Sequence, residues 1–530
     1  MMVARTWVAV ILSCFIWFAY LKWFAPPPPP AKQSESQQQS LHQGSQAAPN
    51  EAVAVSGTGG FPMAQLPVAS SHTISNEKVS LSFSNLGGKP SETVLLQYKQ
   101  TIRKDSPNIA LINPQNASLA LGAFFSDPDL KAFSSGEYQS VAQGNKVEFT
   151  RHANGYEVTK TYELSGNSYF LSNTIKVRAP GQSKQSLGYL NVPVGQDSLT
   201  YDRNDPEKAW ELVYLQNDSV QRAVAEKISA GETVKQGLTS WIAFGNRYFS
   251  TAIVNQSTTN PDVVLAKQSG FVGGYLRFPV IVAKGASEAQ FKFQIYVGPK
   301  DFNALSQVPR LHELIDYGFF SVFAYPLLRL LQFFYRFVHN YGIAIILLTI
   351  LVRLIFYPLS AKGARSMKSM QKLQPQIQAL KAKYKDDMQR FNQEQMALFK
   401  AHKVNPLGGC FPMLVQIPVF IALYSVLANS IELFHAPFFA WVQDLSAKDP
   451  LYIFPVLMGV SMFIQQRMTP MAGMDPVQQK MMYFMPVIFT FMMINLPSGL
   501  TAYIFLSTVL GIVQQWVINK EMPKTAAAHA

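Results

Sequence analysis

Five apolar segments occupy most of the last third of the chain. They cover residues 341–359, 407–429, 451–465, 481–496 and 500–519. A helix needs ~20 residues to cross a bilayer, and tilt or local thinning accommodates the shorter segments. Charged residues make up 15% of the chain, whereas soluble proteins carry about 25%. The segments and the low charge together predict a membrane protein with several spans.

The N-terminus supplies a sixth apolar segment. Residues 1–25 have a basic flank at Arg5 and an apolar run that is long for a cleavable signal peptide. If cleavage followed Ala25, Trp23 would stand where a small residue is required. We therefore expect 1–25 to be an uncleaved transmembrane anchor, with cleavage as the alternative. Five prolines open the Gln- and Ser-rich residues 26–60, which predict an extended linker.

Residues 61–308 alternate between apolar and polar positions. In "KVSLSFS", Val79, Leu81 and Phe83 share one face, and "QFKFQIYV" repeats this pattern. The stretches "NLGG", "HANG" and "SGFVGG" predict turns between such runs. Many short strands over about 250 residues favour a large antiparallel β-sandwich. The predicted fold class is therefore α+β, with a six-span helical bundle and a large β-sandwich domain.

The predicted sandwich carries no recognisable catalytic or metal motif. Residues 61–308 contain no phosphate loop, no nucleophile elbow and no zinc-ligand spacing. Asp202, Asp205 and Glu207 are candidates for a carbohydrate or catalytic site, but a solvated acidic loop is the simpler interpretation. We therefore predict neither enzymatic activity, including activity on sugars, nor a cofactor.

The distribution of charge sets the expected orientation. The net charge is +13, yet residues 55–308 carry 23 basic and 20 acidic residues, which argues against a general nucleic-acid binder. The loop 360–406 instead holds ten basic and three acidic residues. By the positive-inside rule this loop, the loop 466–480, the N-terminus and the tail 521–530 are cytoplasmic. Six spans then place 61–308 outside the cytoplasm.

Two further helical regions are predicted beside the spans. Residues 312–340 are apolar and aromatic, and Arg329 and Arg336 can share a face, which predicts an interfacial amphipathic helix. Residues 361–405 have apolar positions three or four apart on both sides of "YKDD", which predicts a cytoplasmic helical hairpin. A solvated loop that only enforces topology is the alternative. The apolar stripe favours contact with the membrane surface, a partner or an incoming chain.

Methionine is concentrated near the later spans. Ten of the nineteen methionines lie between Met458 and Met493. Methionine suits both surfaces that accept varied apolar shapes and irregular gaps between helices. Met468, Met471 and Met474 fall in the expected cytoplasmic loop, outside any core. Their position slightly favours contact with a substrate or partner.

One arginine lies within a predicted span. Arg353 in "LLTILVRLIFYPLS" keeps its charge, which costs about 2.5–3.5 kcal/mol at the centre of a membrane helix. It lies ~9 Å from the end of the span near Leu359, so snorkelling is one alternative. The five later apolar segments contain no acidic residue to pair with it. This absence, and Thr349 one turn away, favour a polar cavity open to the cytoplasm.

Several long motifs resemble one bacterial family. "GIAIILLTILVRLIFYPLS", "LQPQIQALK", "VNPLGGCFPMLVQIPVFIALY", "DPVQQKMMYFMPVIF" and "LPSGLTAYIFLS" are similar, in this order, to the YidC membrane protein insertases. The resemblance covers nearly all of a five-span core at 341–520, and the anchor and sandwich match the Gram-negative form. It implies a non-enzymatic insertase of the bacterial inner membrane whose periplasmic β-sandwich resembles sugar-mutarotase folds.

The resemblance also implies a hydrophilic groove centred on Arg353, open to cytoplasm and lipid but closed to the periplasm. The groove positions carried over are Thr349, Gln416 and Tyr503. The next family position often holds a second tyrosine, where this chain has Ile504. The tail after Asn519 is short and weakly basic, unlike the ribosome-binding tails of some relatives.

The resemblance further implies a set of partners. These are nascent hydrophobic membrane proteins, the Sec translocon, the translating ribosome and membrane lipids, with no recognition of nucleic-acid sequence. The alternative from another class is a small-solute transporter with an external binding domain. Transporters often contain internal repeats, and the five unequal spans show no convincing repeat.

Overall fold

The structure is a computed structural model. It describes residues 71–112, 121–180, 185–196, 210–268, 271–282, 288–385, 387–402, 404, 411–468 and 476–521. The predicted anchor 1–25, the linker 26–60 and the tail beyond residue 521 lie outside the described residues. So do the acidic residues Asp202, Asp205 and Glu207.

The first described region is built from antiparallel strands. In chain order they are β1 (Ser71–Ser75), β2 (Val79–Ser84), β3 (Lys89–Lys99), β4 (Asn108–Ile112), β5 (Phe124–Phe125), β6 (Gln139–Gln143), β7 (Lys146–Ala153), β8 (Tyr156–Leu164), β9 (Phe170–Arg178), β10 (Gln185–Gln196), β11 (Glu211–Gln216), β12 (Ser219–Val224), β13 (Gly231–Lys235), β14 (Thr239–Gly245), β15 (Phe249–Asn255), β16 (Asp262–Gln268), β17 (Phe271–Val282) and β18 (Glu288–Pro299). Every pairing between these described strands is antiparallel.

These strands form three sheets. A nine-stranded sheet has the order β12-β11-β14-β15-β18-β9-β8-β7-β6, a second sheet the order β13-β16-β17-β10-β5, and a third the order β1-β2-β3-β4. The first sheet packs against the second through β14 and against the third through β15 and β7. As predicted, Val79, Leu81 and Phe83 are buried together, and so are Phe291 and Phe293. The period-2 alternation therefore marked the core faces of a sandwich.

The predicted turns have two different outcomes. "NLGG" and "HANG" are turns, with Gly88 at φ +53° and Gly155 at φ +79°. The turn prediction is wrong for the last four residues of "SGFVGG", because β17 begins at Phe271 and continues through both glycines. A Cβ atom on Gly274 would lie 2.8 Å from the Val264 carbonyl oxygen. This glycine therefore permits the close approach of neighbouring strands.

The second described region is mainly helical. Two short helices belong to the sandwich region: α1 (Ala132–Ser135) lies between β5 and β6, and α2 (Phe302–Leu305) follows β18. The helices of the second region are α3 (Ser321–Val338), α4 (Tyr341–Lys372), α5 (Gln374–Lys383), α6 (Met388–Ala401), α7 (Phe411–Asn429), α8 (Ile453–Met468), α9 (Pro476–Met493) and α10 (Ser498–Glu521). Short 3-10 turns cover Ala225–Lys227, Leu311–Leu314 and Ile431–Leu433. Among the described residues, two helices are long and apolar enough to cross a membrane, Tyr341–Lys372 and Ser498–Ile518. The α+β class is confirmed, and the count of six spans stays a prediction.

The helix α3 is shorter than the predicted 312–340. It begins at Ser321, because a 3-10 turn precedes it and Gly318 at φ +68° separates the two. Its inner face consists of four buried side chains, Ala324, Leu327, Leu328 and Leu331. Its outer face exposes large apolar side chains, namely Val322, Phe323, Phe333 and Phe337. This aromatic outer face suits the interfacial position that the sequence predicts.

The structure differs from the predicted hairpin 361–405 at the beginning of that range. The helix α4 continues through Pro358 to Lys372, so the hairpin consists of α5 and α6 only. The apolar stripe is buried between these two helices, where Leu373, Ile377, Phe391 and Phe399 form one cluster. Two short helices bury little surface unless their stripes face each other. These four residues of the stripe therefore hold α5 and α6 together.

A carboxyl group connects α3 to the turn that follows α7. The side-chain amide of Gln332 donates a hydrogen bond to Glu432 Oε1 at 2.6 Å. Burial raises the pKa of Glu432 from 4.5 to about 7. A raised pKa in the folded state means that stability is lost as the pH rises from about 4.5 through 7.

We expect Glu432→Gln to stabilise the protein at alkaline pH. Glutamine keeps the oxygen that accepts from Gln332 and has no charge to bury. The gain in unfolding free energy should be about 2–3 kcal/mol at pH 8 and less than ~1 kcal/mol at pH 5. Thermal unfolding of the full chain in detergent at both pH values measures it, with the exposed Glu163→Gln as control. The same gain at both pH values would contradict the burial of a charged carboxylate.

Candidate functional site

The side chain of Arg353 reaches from α4 to α10. Its Nε donates to Ser507 Oγ at 3.1 Å, and its Nη2 donates to the same oxygen at 2.8 Å. Nη2 also donates to the Ser507 carbonyl oxygen. One serine therefore holds three donor contacts of the guanidinium group and fixes its direction.

A glycine makes room for this arginine. A Cβ atom on Gly511 would lie 2.6 Å from Gln465 Nε2 and 3.5 Å from Arg353 Nη2. Gln465 belongs to α8, and α10 packs on both α4 and α8. We call Arg353, Gln465, Ser507 and Gly511 the Arg353 cluster. It brings polar groups from three apolar helices to one place.

The charge of the Arg353 cluster is not neutralised by an acid. Among the residues that the structure describes, Arg353 forms no ion pair, and its hydrogen bonds go to neutral oxygens of Ser507. The residue Arg353 as a whole is partly exposed. A partly exposed cation between apolar helices acts over a longer range than one in water, because the surrounding dielectric is low. The cluster can therefore attract an acidic or strongly polar group.

None of the other predicted groove residues forms a hydrogen bond with Arg353 among the described residues. Thr349 is only 1% exposed, and its hydroxyl donates to the Ile345 carbonyl oxygen of its own helix at 2.6 Å. Tyr503 is also buried, and its ring centroid lies 6.3 Å from that of Phe420 on α7. Gln416 on α7 is partly exposed. Among the described residues, Arg353 takes its hydrogen-bond partner from α10 and not from this predicted set.

Two departures concern residues singled out in the sequence. Ile504, which stands where the family often has a tyrosine, is buried and contributes no polar group. Met468 is the last residue of α8 and partly buried, so its assignment to a loop is wrong. Met471 and Met474 lie outside the described residues. Contact of these methionines with a substrate stays a prediction.

Sequence reasoning missed Ser507 and Gly511. Together with Tyr503 they recur every fourth residue along α10, so they share one face. Two small or hydroxyl-bearing residues at this spacing in an apolar helix are a signal for close packing or a polar contact. The pattern was present in "YIFLSTVLG", but it did not indicate which helix the face meets.

We expect Gly511→Leu to disturb the Arg353 cluster. The added side chain has no space between Gln465 and Arg353, so one of them must move. Overpacking of this kind costs about 1–3 kcal/mol of unfolding free energy. Thermal unfolding in detergent measures the loss, and Val513→Leu on the exposed side of α10 is the control. Equal melting temperatures for both variants would contradict the packing.

Comparison with known proteins covers both described regions. Residues 333–525 match the family described as 60Kd inner membrane protein, and residues 71–330 match the family described as YidC periplasmic domain. A membrane protein insertase YidC from Geotalea uraniireducens is 39% identical over 98% of this chain and 99% of that protein. The insertase YidC from Geobacter metallireducens is 36% identical over 99% of both chains.

A solved structure is also similar. It is the crystal structure of an active YidC insertase with its first transmembrane domain resolved. It is 19% identical in sequence, covers 84% of this chain and 92% of its own, and has a TM-score of 0.36.

Proposed function

The chain belongs to the YidC family of membrane protein insertases, and we propose that it inserts hydrophobic proteins into the bacterial inner membrane at the Arg353 cluster. The observation that carries this proposal is Arg353 itself. Its charge lies among apolar helices, a serine orients it, and no acid pairs with it among the described residues. Such a group binds polar parts of a passing chain, so it lowers the cost of taking them into the membrane.

We propose that the hydrophilic flank of a substrate enters a groove beside Arg353, open to cytoplasm and lipid. Gln416 is partly exposed and contributes a side-chain amide to this groove. Thr349 and Tyr503 are nearly fully buried, so they form the wall behind the arginine. The groove shortens the polar path through the bilayer, and an acidic tail gains attraction from Arg353 in the low dielectric.

The apolar segment of the substrate then moves into lipid along α8 and α9. These helices expose large apolar side chains, including Val460, Phe463, Phe484 and Phe491. Burial of apolar surface supplies ~25 cal/mol per Å², so a hydrophobic segment gains enough free energy without nucleotide hydrolysis. The action is therefore binding and partitioning, without covalent catalysis.

We propose six spans with both termini in the cytoplasm and residues 61–308 in the periplasm. The ten basic residues of 360–406 support this orientation, because they favour the cytoplasmic side. The hairpin of α5 and α6 then meets nascent hydrophobic membrane proteins first. We also propose the Sec translocon and the translating ribosome as partners, because the chain belongs to the YidC family.

Insertion into liposomes tests the proposal. The purified full chain is reconstituted, and a small single-span protein with an acidic outer tail is added from outside or synthesised in its presence. We expect protease protection of the tail to depend on the reconstituted chain. Absence of protection, or substrate-dependent flux of small solutes through the same liposomes, would instead favour a transporter.

A further inference from the structure

A cleft lies where the sandwich meets the loop between α7 and α8. Its volume is about 640 Å³. The hairpin between β3 and β4 lines one side with Lys99, Ile102 and Arg103, and the loop lines the other side with Phe434 and Gln443. The volume is within the range of small-ligand sites.

Aromatic packing fixes the two walls of the cleft to each other. The ring of Phe434 lies with its centroid 5.0 Å from that of Tyr248 and 5.3 Å from that of Phe249. The ring of Tyr98, at the end of β3, lies 6.5 Å from Phe434. The loop is thus anchored in the sandwich by one aromatic side chain, and the cleft is formed before any ligand enters.

The cleft carries positive charge. Lys99 and Arg103 are exposed, and none of the described residues that line the cleft is acidic. Arg103 has no ion-pair partner among the described residues. His435 lines the cleft as well, but burial lowers its pKa below 6.5, so it adds no charge at neutral pH. Two cations and the amide of Gln443 are suited to an anionic group such as a phosphate.

The surroundings of the cleft are apolar and close to helix ends. The loop begins directly after α7 and leads into α8. Ile102 is 54% exposed and Phe439, in the same loop, is 69% exposed. Leu451, just before α8, is exposed too. A cationic cleft that is lined by the exposed Ile102 and by a loop joining two apolar helices has the chemistry of a lipid site.

We propose that this cleft binds the head group of an anionic phospholipid from the outer leaflet. The phosphate lies between Lys99 and Arg103, and the acyl chains extend from the cleft past the exposed Ile102. The bound lipid then attaches the sandwich to the membrane surface beside α8. The assignment of the outer leaflet rests on the proposed topology, whereas binding itself is independent of insertion activity.

Native mass spectrometry of the full chain in detergent tests the proposal. The delipidated protein is titrated with phosphatidylglycerol and, separately, with phosphatidylcholine. The test variant K99Q/R103Q removes two exposed cations from the cleft. The control K131Q/K227Q removes two exposed cations elsewhere on the sandwich, so the change in net charge is the same. Melting temperatures in detergent verify that both variants are folded.

We expect K99Q/R103Q to weaken binding of the first phosphatidylglycerol about tenfold, and K131Q/K227Q to leave it unchanged. Binding of phosphatidylcholine should be weaker and equal in all three proteins. Equal phosphatidylglycerol affinity in the two double variants would overturn the proposal. So would displacement of the lipid by glycerol phosphate or by an acidic peptide at equal concentration, because the site would then recognise a soluble anion or a polypeptide.

Discussion

Replacing Arg353 with alanine should reduce the insertion of a single-span substrate with an acidic outer tail by about tenfold to a hundredfold. A hydrogen bond from a charged donor is worth about 1.5–3 kcal/mol, which corresponds to this range. The substitution removes the only charged member of the Arg353 cluster and leaves Ser507 on α10. The fold should persist, because the arginine is partly exposed and has no ion pair among the described residues.

Two matched comparisons make this prediction specific. Arg353→Lys keeps the charge but has no forked guanidinium for Ser507, so we expect partial activity. Arg336→Ala removes an exposed arginine from α3 and should leave insertion unchanged. The measurement is protease protection of the tail in liposomes, for an acidic and a neutral tail. Undiminished insertion of every substrate by Arg353→Ala, including the acidic one, would remove the general role of this charge.

Replacing Asp449 with alanine should have the largest effect on stability, about 3 kcal/mol or more. Asp449 is 1% exposed and precedes α8. Its Oδ1 accepts from Trp441 Nε1 and from the Leu451 backbone N–H, both at 3.1 Å, and its Oδ2 accepts from the Phe454 backbone N–H at 2.7 Å. Alanine leaves the buried Phe454 N–H without an acceptor, which costs about 1–3 kcal/mol, and removes two partly buried hydrogen bonds to a charged acceptor.

Asparagine provides the graded comparison at this position. Asp449→Asn retains one side-chain oxygen as an acceptor, so it should lower the unfolding free energy less than Asp449→Ala does. Asp105→Ala removes an exposed aspartate and should change the melting temperature little. Thermal unfolding of the full chain in detergent measures all three variants. A melting temperature for Asp449→Ala equal to that of Asp105→Ala would show that the network does not hold the start of α8.

The sandwich was predictable because its strands have one buried face. Val79, Leu81 and Phe83 alternate with polar residues, and the core takes every second side chain. The error at Gly274 arises because glycine signals two different things, a turn or the close approach of strands. Local sequence does not decide between them. The packing of the neighbouring strand decides between them, here through the Val264 carbonyl of β16.

The helices were predictable in type and less so at their ends. Hydropathy found α4, but it continues past Pro358 to Lys372, because a proline within a helix removes one hydrogen bond without always ending the helix. The apolar stripe of 361–405 favours a contact surface, whereas in the structure α5 and α6 bury Leu373, Ile377, Phe391 and Phe399 between themselves. Periodicity identifies an apolar face, but it does not identify what covers that face.

At the candidate site the arginine was predictable and its partner was not. A charge in an apolar helix is visible in the sequence, and the absence of acids nearby indicated a polar environment. Ser507 is 154 residues away from Arg353, and only the packing of α10 on α4 brings them together. The spacing of Thr349 placed it near Arg353, but spacing does not reveal that its hydroxyl bonds within its own helix.

Site-specific crosslinking beside Arg353 tests whether a substrate passes the Arg353 cluster during insertion. A photoreactive residue replaces Phe356, which lies one turn from Arg353 and leaves the arginine in place. The same residue at Leu354, on the opposite side of α4 and exposed, is the control. Stalled nascent chains of a single-span substrate are then irradiated. We expect crosslinks from position 356 to the hydrophilic flank of the substrate and few from position 354. Equal crosslinks at both positions, or none at 356 while insertion proceeds, would contradict it.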